Sequence, residues 1–236
     1  MKTVVAFSNA NHGNCRFAGS HRQRVEAAQN RERFLQQFNL NAGKLISTYP
    51  SPPRVKRIRE KDTVKRPHVQ ALITQRLDTP LGIVSADCLP ILLVDEGQTT
   101  IGAVHYSRDH MKQPFLEEIV EEMSKTTEGR IEAFLGPCLQ APSHQLDYES
   151  VKALTDARKE IERYFEPIPE TSDFNFDYSG CSEKLLRDLD VHVTFKSKVD
   201  SYSDTQYFSR RRRIHENPKS SPQLNISVIC LKGNAP

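Results

Sequence analysis

Short runs of apolar and β-branched residues recur along the 236-residue chain and predict β-strands. Most of these runs are apolar at successive positions rather than at alternate ones, which is typical of strands that are covered on both faces of a sheet. The predicted strands span residues 2–7, 44–49, 69–74, 81–84, 91–94, 100–105, 131–135, 192–195 and 226–231.

Between the predicted strands, apolar residues recur at the three- and four-residue spacing of amphipathic helices. The predicted helices span residues 25–38, 114–124, 148–164 and 182–189. The segment between the last two strands is polar and is predicted to be a loop. Strands that alternate with helices, without an internal repeat, indicate an α/β fold: a single layered domain of mixed β-sheet with flanking helices over residues 1–236.

Composition and charge fit an ordinary globular chain, with 37% hydrophobic residues, 27% charged residues and a formal net charge of +3. The five cysteines are an odd number and form no C-x-x-C pair, which favours reduced thiols. The chain begins without an apolar leader, and its longest apolar stretch, 89–94, contains Pro90 and is too short to cross a bilayer. We therefore expect a cytoplasmic protein with no membrane partner.

Basic residues crowd two segments, 54–66 and 210–213. We interpret the first as a solvated loop, and an acidic partner or a phosphate-bearing ligand is the alternative. Only Tyr49 supplies an aromatic side chain near it. Because single-stranded nucleic acid stacks its bases on aromatic rings, we do not expect nucleic acid as a partner.

A cysteine and a histidine flank neighbouring predicted strands: Cys88 lies on a tight turn before one strand, and His105 ends the next. Thiolate and imidazole suit either a zinc site or a nucleophile–base pair. A buried core cysteine beside a hydrogen-bonded histidine is the alternative without chemistry. A catalytic zinc needs at least three protein ligands. Candidates for the third are His68, His110 and His144.

The string VSADCLPILLVDEGQTTIGAVH, which contains both residues, resembles the signature of the YfiH-like family, also called laccase-domain or multicopper polyphenol oxidase proteins. In that family a T-A-D-C-x-P-x-x-L strand precedes an alanine-rich strand that ends in histidine. ALIT is similar to its D-A-L-V-T, IEAFLGPCL to its I-x-A-x-I-G-P-x-I, and DTQYFSRRR to its F-F-S-Y-R-R. FSNANHG and NRERFLQQFNL lie where the family has F-S-x-R-x-G-G and N-R-x-x-L, so the resemblance spans nearly the whole chain.

The resemblance implies a single α/β domain of mixed sheets and a zinc site made of His, Cys and His. It also implies that the partners are a purine nucleoside and phosphate. The implied activities are phosphorolysis of adenosine, inosine or guanosine, and deamination of adenosine. An older name for the family is polyphenol oxidase or laccase, and editing of peptidoglycan precursors is attributed to some bacterial members.

Carried over residue by residue, the resemblance makes Cys88 and His105 two of the three zinc ligands. The family's first histidine, in Q-V-H-G, has no counterpart in ISTYPSPPRV, where Pro50 or a close neighbour takes its place. The family's H-A-G-W-R-G turn is missing after His105, and Gln70 stands where the family usually has aspartate. The resemblance therefore makes this chain a divergent member.

Two hypotheses about activity follow from the missing ligand, and a third from the Cys88–His105 pair itself. In the first, His68 replaces it, and a zinc-dependent phosphorylase or deaminase activity survives. In the second, the chain is a metal-free, non-catalytic member that acts by binding. In the third, the chain is a cysteine hydrolase with Cys88 as nucleophile and His105 as base.

Three further residues near these motifs are candidates for the site. Arg210 and Arg211 suit phosphate, because a guanidinium group binds it in bidentate fashion, and packing beneath the sheet is the alternative. Asp87 is a candidate catalytic residue that orients Cys88, and capping of the turn is the alternative.

Overall fold

The computed structural model describes residues 2–49 and 52–233. The α-helices of this part are α1 His21–Gln36, α2 Phe115–Ser124, α3 Tyr148–Ala157, α4 Tyr178–Asp188 and α5 Arg210–Glu216. Short 3-10 helices span Ala10–His12, Ala42–Lys44, Arg108–Lys112 and Lys159–Tyr164. The strands are β1 Lys2–Phe7, β2 Ile46–Ser47, β3 Val55–Ile58, β4 Ala71–Thr74, β5 Leu81–Ser85, β6 Leu89–Asp95, β7 Ile101–Tyr106, β8 Ile131–Leu135, β9 Gln145–Leu146, β10 Phe165–Pro167, β11 Phe174–Phe176, β12 His192–Lys196 and β13 Asn225–Lys232. Within the described residues, no helix has the length and apolar character needed to span a membrane.

The larger sheet holds six strands in the order β12–β8–β6–β7–β4–β3. Its central strand β6 pairs antiparallel with both β7 and β8 and is buried along its whole length. Burial on both faces explains why its sequence, LPILLVD, is apolar at successive positions. The register places Pro90 opposite His105, so the start of β6 and the end of β7 meet at one end of the sheet.

A second sheet, β1–β13–β5–β2, packs on one face of the larger one, and α2 and α4 pack on the other. Successive side chains of a strand point to opposite faces. Leu92 and Val94 of β6 therefore join the core shared with β5 and β13, whereas Ile91 and Leu93 join the core shared with α2 and α4. Helix α1 covers the outer face of the second sheet. The predicted α/β fold of mixed, layered sheets with flanking helices is confirmed.

The helix predicted over 148–164 is wrong in its second half, because α3 ends at Ala157 and a 3-10 helix follows. Arg158 leaves the helical region with a φ of −145°. Its Nε donates to the carbonyl oxygen of Met111 at 2.8 Å, and its guanidinium pairs with Glu117 at 2.6 Å. These tertiary contacts of Arg158 outweigh the helical periodicity of the sequence.

The polar segment predicted to be a loop contains helix α5, which begins at the arginine run. The side chain of Ser209 accepts a hydrogen bond from the backbone nitrogen of Arg212 at 3.1 Å, which caps the helix. No residue of α5 is buried. The helix therefore has no apolar stripe, and hydrophobic periodicity gives no signal for it.

The interpretation of segment 54–66 as a loop is wrong for β3, which pairs in parallel with β4 at the edge of the larger sheet. Arg57 of this strand donates to Glu122 Oε1 at 2.9 Å and to Thr126 Oγ1 at 2.7 Å. Charged side chains on an edge strand protect it from pairing with other chains.

Candidate active site

The turn that carries Cys88 joins β5 to β6 and consists of Ala86, Asp87 and Cys88. Asp87 has a φ of 83°, a left-handed conformation that is costly for a residue with a side chain. The backbone nitrogen of Leu139 donates to the carbonyl oxygen of Asp87 at 2.9 Å. The segment after β8 therefore holds the turn in this shape.

The carboxylate of Asp87 is occupied by two hydrogen bonds within the protein. Ser201 Oγ donates to one oxygen at 2.8 Å, and the backbone nitrogen of Arg211 donates to the other at 2.7 Å. The side chain thus ties the turn to the start of α5. Its predicted catalytic role stays a prediction, and its direct contacts position the elements on either side of Cys88.

The ring of His105 is oriented by Gln70 on the neighbouring strand segment. Nδ1 lies 2.8 Å from Oε1 of Gln70, and the backbone nitrogen of His105 donates to the carbonyl oxygen of Gln70 at 2.8 Å. Because an amide oxygen only accepts, Nδ1 carries the hydrogen and Nε2 keeps its lone pair. Burial, followed by the nearby His110, lowers the pKa of His105 to about 4. His105 is therefore a neutral imidazole, the form in which histidine binds a metal.

A pocket of about 220 Å³ opens beside Cys88. Its polar and charged lining residues are Asp87, Cys88, Ser107, Arg108, Asp109, His144, Tyr178, Arg210 and Arg211. Burial, followed by the charge of Asp87, raises the pKa of the Cys88 thiol to about 12. The thiol is therefore protonated at neutral pH, and a bound cation would be needed to stabilise its thiolate.

The structure separates the two arginines that were predicted to bind phosphate. The guanidinium of Arg211 donates to the carbonyl oxygens of Ser143 at 2.8 Å and Gln145 at 2.9 Å, so it holds the loop before α3. Within the described residues, the exposed side chain of Arg210 makes no hydrogen bond or ion pair. Arg108, in the segment after β7, approaches only Asp109, at 4.0 Å.

His144 enters the pocket from the loop before β9. It is 7% exposed, and its ring packs against Phe176 and edge-on against Tyr178, each with a centroid distance of 5.3 Å. Burial, followed by the charges of Arg211 and Arg108, lowers the pKa of His144 to about 3. The imidazole is therefore neutral at physiological pH.

The other candidate zinc ligands lie apart from the pocket lining. His68 is exposed and packs on the ring of Tyr49 at 4.4 Å, while His110 is buried and its Nδ1 accepts a hydrogen bond from the backbone of Ser107 at 3.1 Å. Pro50, at the place of the family's first histidine, lies outside the described residues.

The carried-over zinc ligands do not make a complete site by themselves. Residues 2–49 and 52–233 contain no group of three or more His, Cys, Asp or Glu side chains arranged to hold a metal. Gln70 orients His105 as a metal ligand is usually oriented. Even so, Cys88 and His105 are two ligands where a catalytic zinc needs three, so the described residues do not fit it.

The chain is similar in sequence to one known protein family and to several curated proteins. The model of the family described as multi-copper polyphenol oxidoreductase laccase matches residues 5–220. A purine nucleoside phosphorylase of Rickettsia conorii is 22% identical over 173 residues, which cover 73% of this chain and 72% of the relative. One of Campylobacter jejuni is 25% identical over 175 residues, or 72% and 70% of the two chains. An adenosine deaminase from an unknown prokaryotic organism is 26% identical over 149 residues, or 61% and 57%.

Solved structures show the same fold. The YfiH protein of Bacillus licheniformis superposes with a TM-score of 0.82 at 17% identity, covering 98% of this chain and 93% of that one. A Neisseria meningitidis protein of the DUF152 family gives a TM-score of 0.79 at 21% identity, covering 98% and 94%. At these identities the likeness establishes the arrangement of the strands and helices and no activity.

Four polar pocket residues are not among the candidates that the sequence predicts: Ser107, Arg108, Asp109 and Tyr178. Tyr178 begins α4, and its hydroxyl donates to the carbonyl oxygen of Tyr106. Arg108 follows the strand that ends near His105, in the turn where the chain departs from the family pattern. A cationic side chain just after a candidate site strand is the signal that points to Arg108. Tyr178 has no such signal, because it is distant in sequence from the other pocket residues.

Proposed function

This chain belongs to the multi-copper polyphenol oxidoreductase laccase family, the YfiH-like proteins, and on that premise we propose that it binds a purine nucleoside and inorganic phosphate beside Cys88 and cleaves the nucleoside by phosphorolysis. The observation that carries the proposal is the pair of guanidinium groups of Arg108 and Arg210 in one pocket. Neither donates a hydrogen bond within the described residues. Cations held without such partners in a concave site favour an anionic ligand.

Phosphorolysis makes one bond and breaks one. An oxygen atom of phosphate bonds to C1′ of the ribose while the C1′–N9 bond breaks. The electron pair of that bond goes to the purine, which takes up the proton that hydrogen phosphate loses on forming the ester, and the products are ribose 1-phosphate and the free base. Arg108 and Arg210 would hold the phosphate and neutralise part of its charge, and such contacts are stronger in a pocket than in water.

Deamination of adenosine is the activity that the name of another relative suggests. Its chemistry is attack of a water molecule at C6 of the purine, which needs a strong base or a metal-activated water. The neutral imidazoles of His105 and His144, with pKa values of about 4 and 3, are weak bases. The pocket therefore offers weak bases together with the cations of Arg108 and Arg210, and this combination favours phosphorolysis over deamination.

A cysteine hydrolase is a less suitable alternative, because of the charge states of Cys88 and His105. A catalytic cysteine reacts as a thiolate, usually stabilised by a histidinium. Here the thiol of Cys88 has a pKa of about 12 and the imidazole of His105 a pKa of about 4, so both groups are neutral at pH 7. The pair lacks the charges that nucleophilic attack requires.

The proposed steps include no metal, and zinc content is a separate question with its own measurement. Zinc is measured in protein purified without added metal, in the natural sequence and in His68→Ala. About one zinc per chain that disappears in the variant would restore the hypothesis that His68 completes a three-ligand site.

The proposal is tested by assaying adenosine, inosine and guanosine with inorganic phosphate in four proteins: the natural chain, Arg108→Ala, Arg210→Ala and Arg130→Ala. Arg130 is exposed at the opposite end of the larger sheet and serves as the matched control. We expect a roughly 10- to 100-fold lower kcat/KM for phosphate in the first two variants and no change in the third. Nucleoside binding without turnover in the natural chain would instead support the non-catalytic, binding hypothesis.

We also propose a cytoplasmic location. All five cysteines are free thiols, and four of them are buried. Unpaired cysteines suit a reducing compartment. Location of a tagged full-length chain by cell fractionation tests this point.

A further inference from the structure

One ring nitrogen of His144 is buried in the protein, and the other is accessible to solvent. Nδ1 is buried and has no hydrogen-bond partner. Nε2 also has no hydrogen-bond partner among the described residues, but unlike Nδ1 it is accessible to solvent. Since His144 lines the Cys88 pocket, Nε2 is the atom that a ligand there can reach.

The buried Nδ1 atom indicates which tautomer of the imidazole is present. A neutral imidazole carries one hydrogen and one lone pair. A buried N–H without an acceptor is rarer in proteins than a buried acceptor without a donor. The hydrogen is therefore on Nε2, and His144 presents an uncharged N–H donor to the pocket. The low pKa of its ring, about 3, keeps it in this neutral form.

The groups that share the pocket with this donor are cations with unused N–H groups. Arg108 and Arg210 both line the pocket, whereas the guanidinium of Arg211 donates to two backbone carbonyls. The carboxylate of Asp87 is saturated by Ser201 and Arg211. Asp109 is the remaining carboxylate of the lining, and its Oδ1 lies 3.2 Å from Lys112 Nζ and 4.0 Å from Arg108 Nε, beyond hydrogen-bond distance of Arg108. The free donors therefore outnumber the free acceptors.

We propose that His144, through Nε2–H, forms an oxyanion subsite with Arg108 and Arg210 and positions inorganic phosphate there. The inference rests on the proposed function, because it assigns the phosphate position of the same pocket. The volume of about 220 Å³ is below the roughly 300–1,000 Å³ of pockets that bury a whole drug-sized ligand. It suits the phosphate and the adjoining sugar, with the base toward the open side.

The subsite makes His144 a positioning residue for phosphate that acts by hydrogen bonding and not by proton transfer. A neutral donor that shares the pocket with two cations fixes the direction of one phosphate oxygen without adding charge. A replacement that keeps the donor should therefore keep phosphate binding, whereas a replacement that keeps only the ring should not.

The test compares His144→Gln, which keeps an N–H donor near the place of Nε2, with His144→Phe, which keeps a ring against Phe176 and Tyr178. Inorganic phosphate is titrated into the full chain without nucleoside, and binding is measured by calorimetry. We expect a Kd within about 3-fold of the natural chain for His144→Gln and one about 10-fold weaker for His144→Phe. Far-ultraviolet circular dichroism and the melting temperature identify a variant that has not folded.

Two results would overturn the subsite: no phosphate binding by the natural chain, or equal binding by a folded His144→Phe variant. Its failure is distinct from failure of the proposed function. Phosphate binding that depends on His144, in a protein that does not turn over nucleosides, supports the subsite and contradicts phosphorolysis. Turnover that is unaffected in His144→Phe, with an unchanged KM for phosphate, supports phosphorolysis and contradicts the subsite.

Discussion

The two basic segments, 54–66 and 210–213, are alike in sequence and differ in how their charges are used. In the first, Arg57 pairs with the carboxylate of Glu122 at 2.9 Å on an edge strand. In the second, no arginine pairs with a carboxylate within the part of the chain that the structure describes. The first segment pairs part of its charge with carboxylates, Lys56 with Asp62 and Arg57 with Glu122, whereas the second keeps a positive charge at the pocket.

The arginines of the second segment also differ among themselves. Arg211, Arg212 and Arg213 donate to backbone carbonyls of neighbouring loops, such as those of Ser143 and Ser220. Arg210 alone among the four makes no hydrogen bond or ion pair in the described residues, and it lines the Cys88 pocket. The difference shows that an arginine run can hold a fold together at most of its positions and leave one position for a ligand.

The largest effect on stability should come from the residue that ties α5 to the Cys88 turn. Asp87→Ala leaves Ser201 Oγ and the backbone nitrogen of Arg211 without their acceptor and places alanine at a positive φ. We expect the free energy of unfolding to fall by about 3 kcal/mol, measured by urea denaturation. Asp87→Asn, which tolerates the same φ and keeps one acceptor oxygen, should lose less. Equal stability of Asp87→Ala would show that the turn does not depend on this tie.

Two neighbouring arginines should respond in opposite ways. Arg211→Ala removes two charge-assisted hydrogen bonds to carbonyl oxygens and should lower the free energy of unfolding by about 2 kcal/mol. Arg210→Ala should leave stability within about 0.5 kcal/mol and weaken phosphate binding about 10-fold. Urea denaturation and phosphate titration check the pair. A destabilised Arg210→Ala that binds phosphate normally would remove the distinction between structural and ligand-binding arginines.

A smaller loss of stability is expected from a substitution in the first basic segment, 54–66. Arg57→Ala breaks the contacts with Glu122 and Thr126 at a partly buried edge and should lower the free energy of unfolding by about 1 kcal/mol. Nucleoside turnover should not change, because this edge is distant from Cys88 in the strand order. Thermal melting and the phosphorolysis assay measure both results, and a loss of turnover in a stable variant would contradict the division between the segments.

The smallest effect concerns pH. In the folded chain the pKa of His144 is about 3, whereas its ordinary value is about 6.5. Between these two pH values the unfolded chain therefore binds more protons at this residue than the folded chain does. Its contribution to stability is therefore complete above pH 6.5 and is lost as the pH falls. From pH 6.5 to 5.5 we expect about 1 kcal/mol of additional loss relative to His144→Phe, measured by urea denaturation. Parallel pH profiles of the two proteins would contradict a neutral, buried His144.

The sequence predicts the central strands of the larger sheet well because their burial leaves a direct trace, whereas it misses the edge strand β3, which is only partly buried. β6, β7 and β8 are apolar at successive positions, and each was predicted within two residues of its bounds. β9 and β10, with two and three residues, were missed, because strands this short have no periodicity and exist only through their pairing with β11. Helix α5 was missed for a related reason, since none of its side chains is buried.

The candidate site was predictable in place and less so in detail. Motif resemblance located Cys88 and His105, which the register of β6 and β7 brings to the same end of the sheet. The different roles of Arg210 and Arg211 were not predictable, because they depend on which backbone carbonyls come near. The pocket position of His144 depends on the path of a long loop, and local sequence does not determine that path.

The most direct test of phosphorolysis beside Cys88 is to follow the products by ³¹P nuclear magnetic resonance. The natural chain, Arg210→Ala and Arg130→Ala are each incubated with inosine and inorganic phosphate. We predict that the natural chain and Arg130→Ala form ribose 1-phosphate in a 1:1 ratio with free base, and that Arg210→Ala does so at least 10-fold more slowly. Absence of ribose 1-phosphate with the natural chain, or its formation at the same rate in Arg210→Ala, would contradict the proposed reaction at this site.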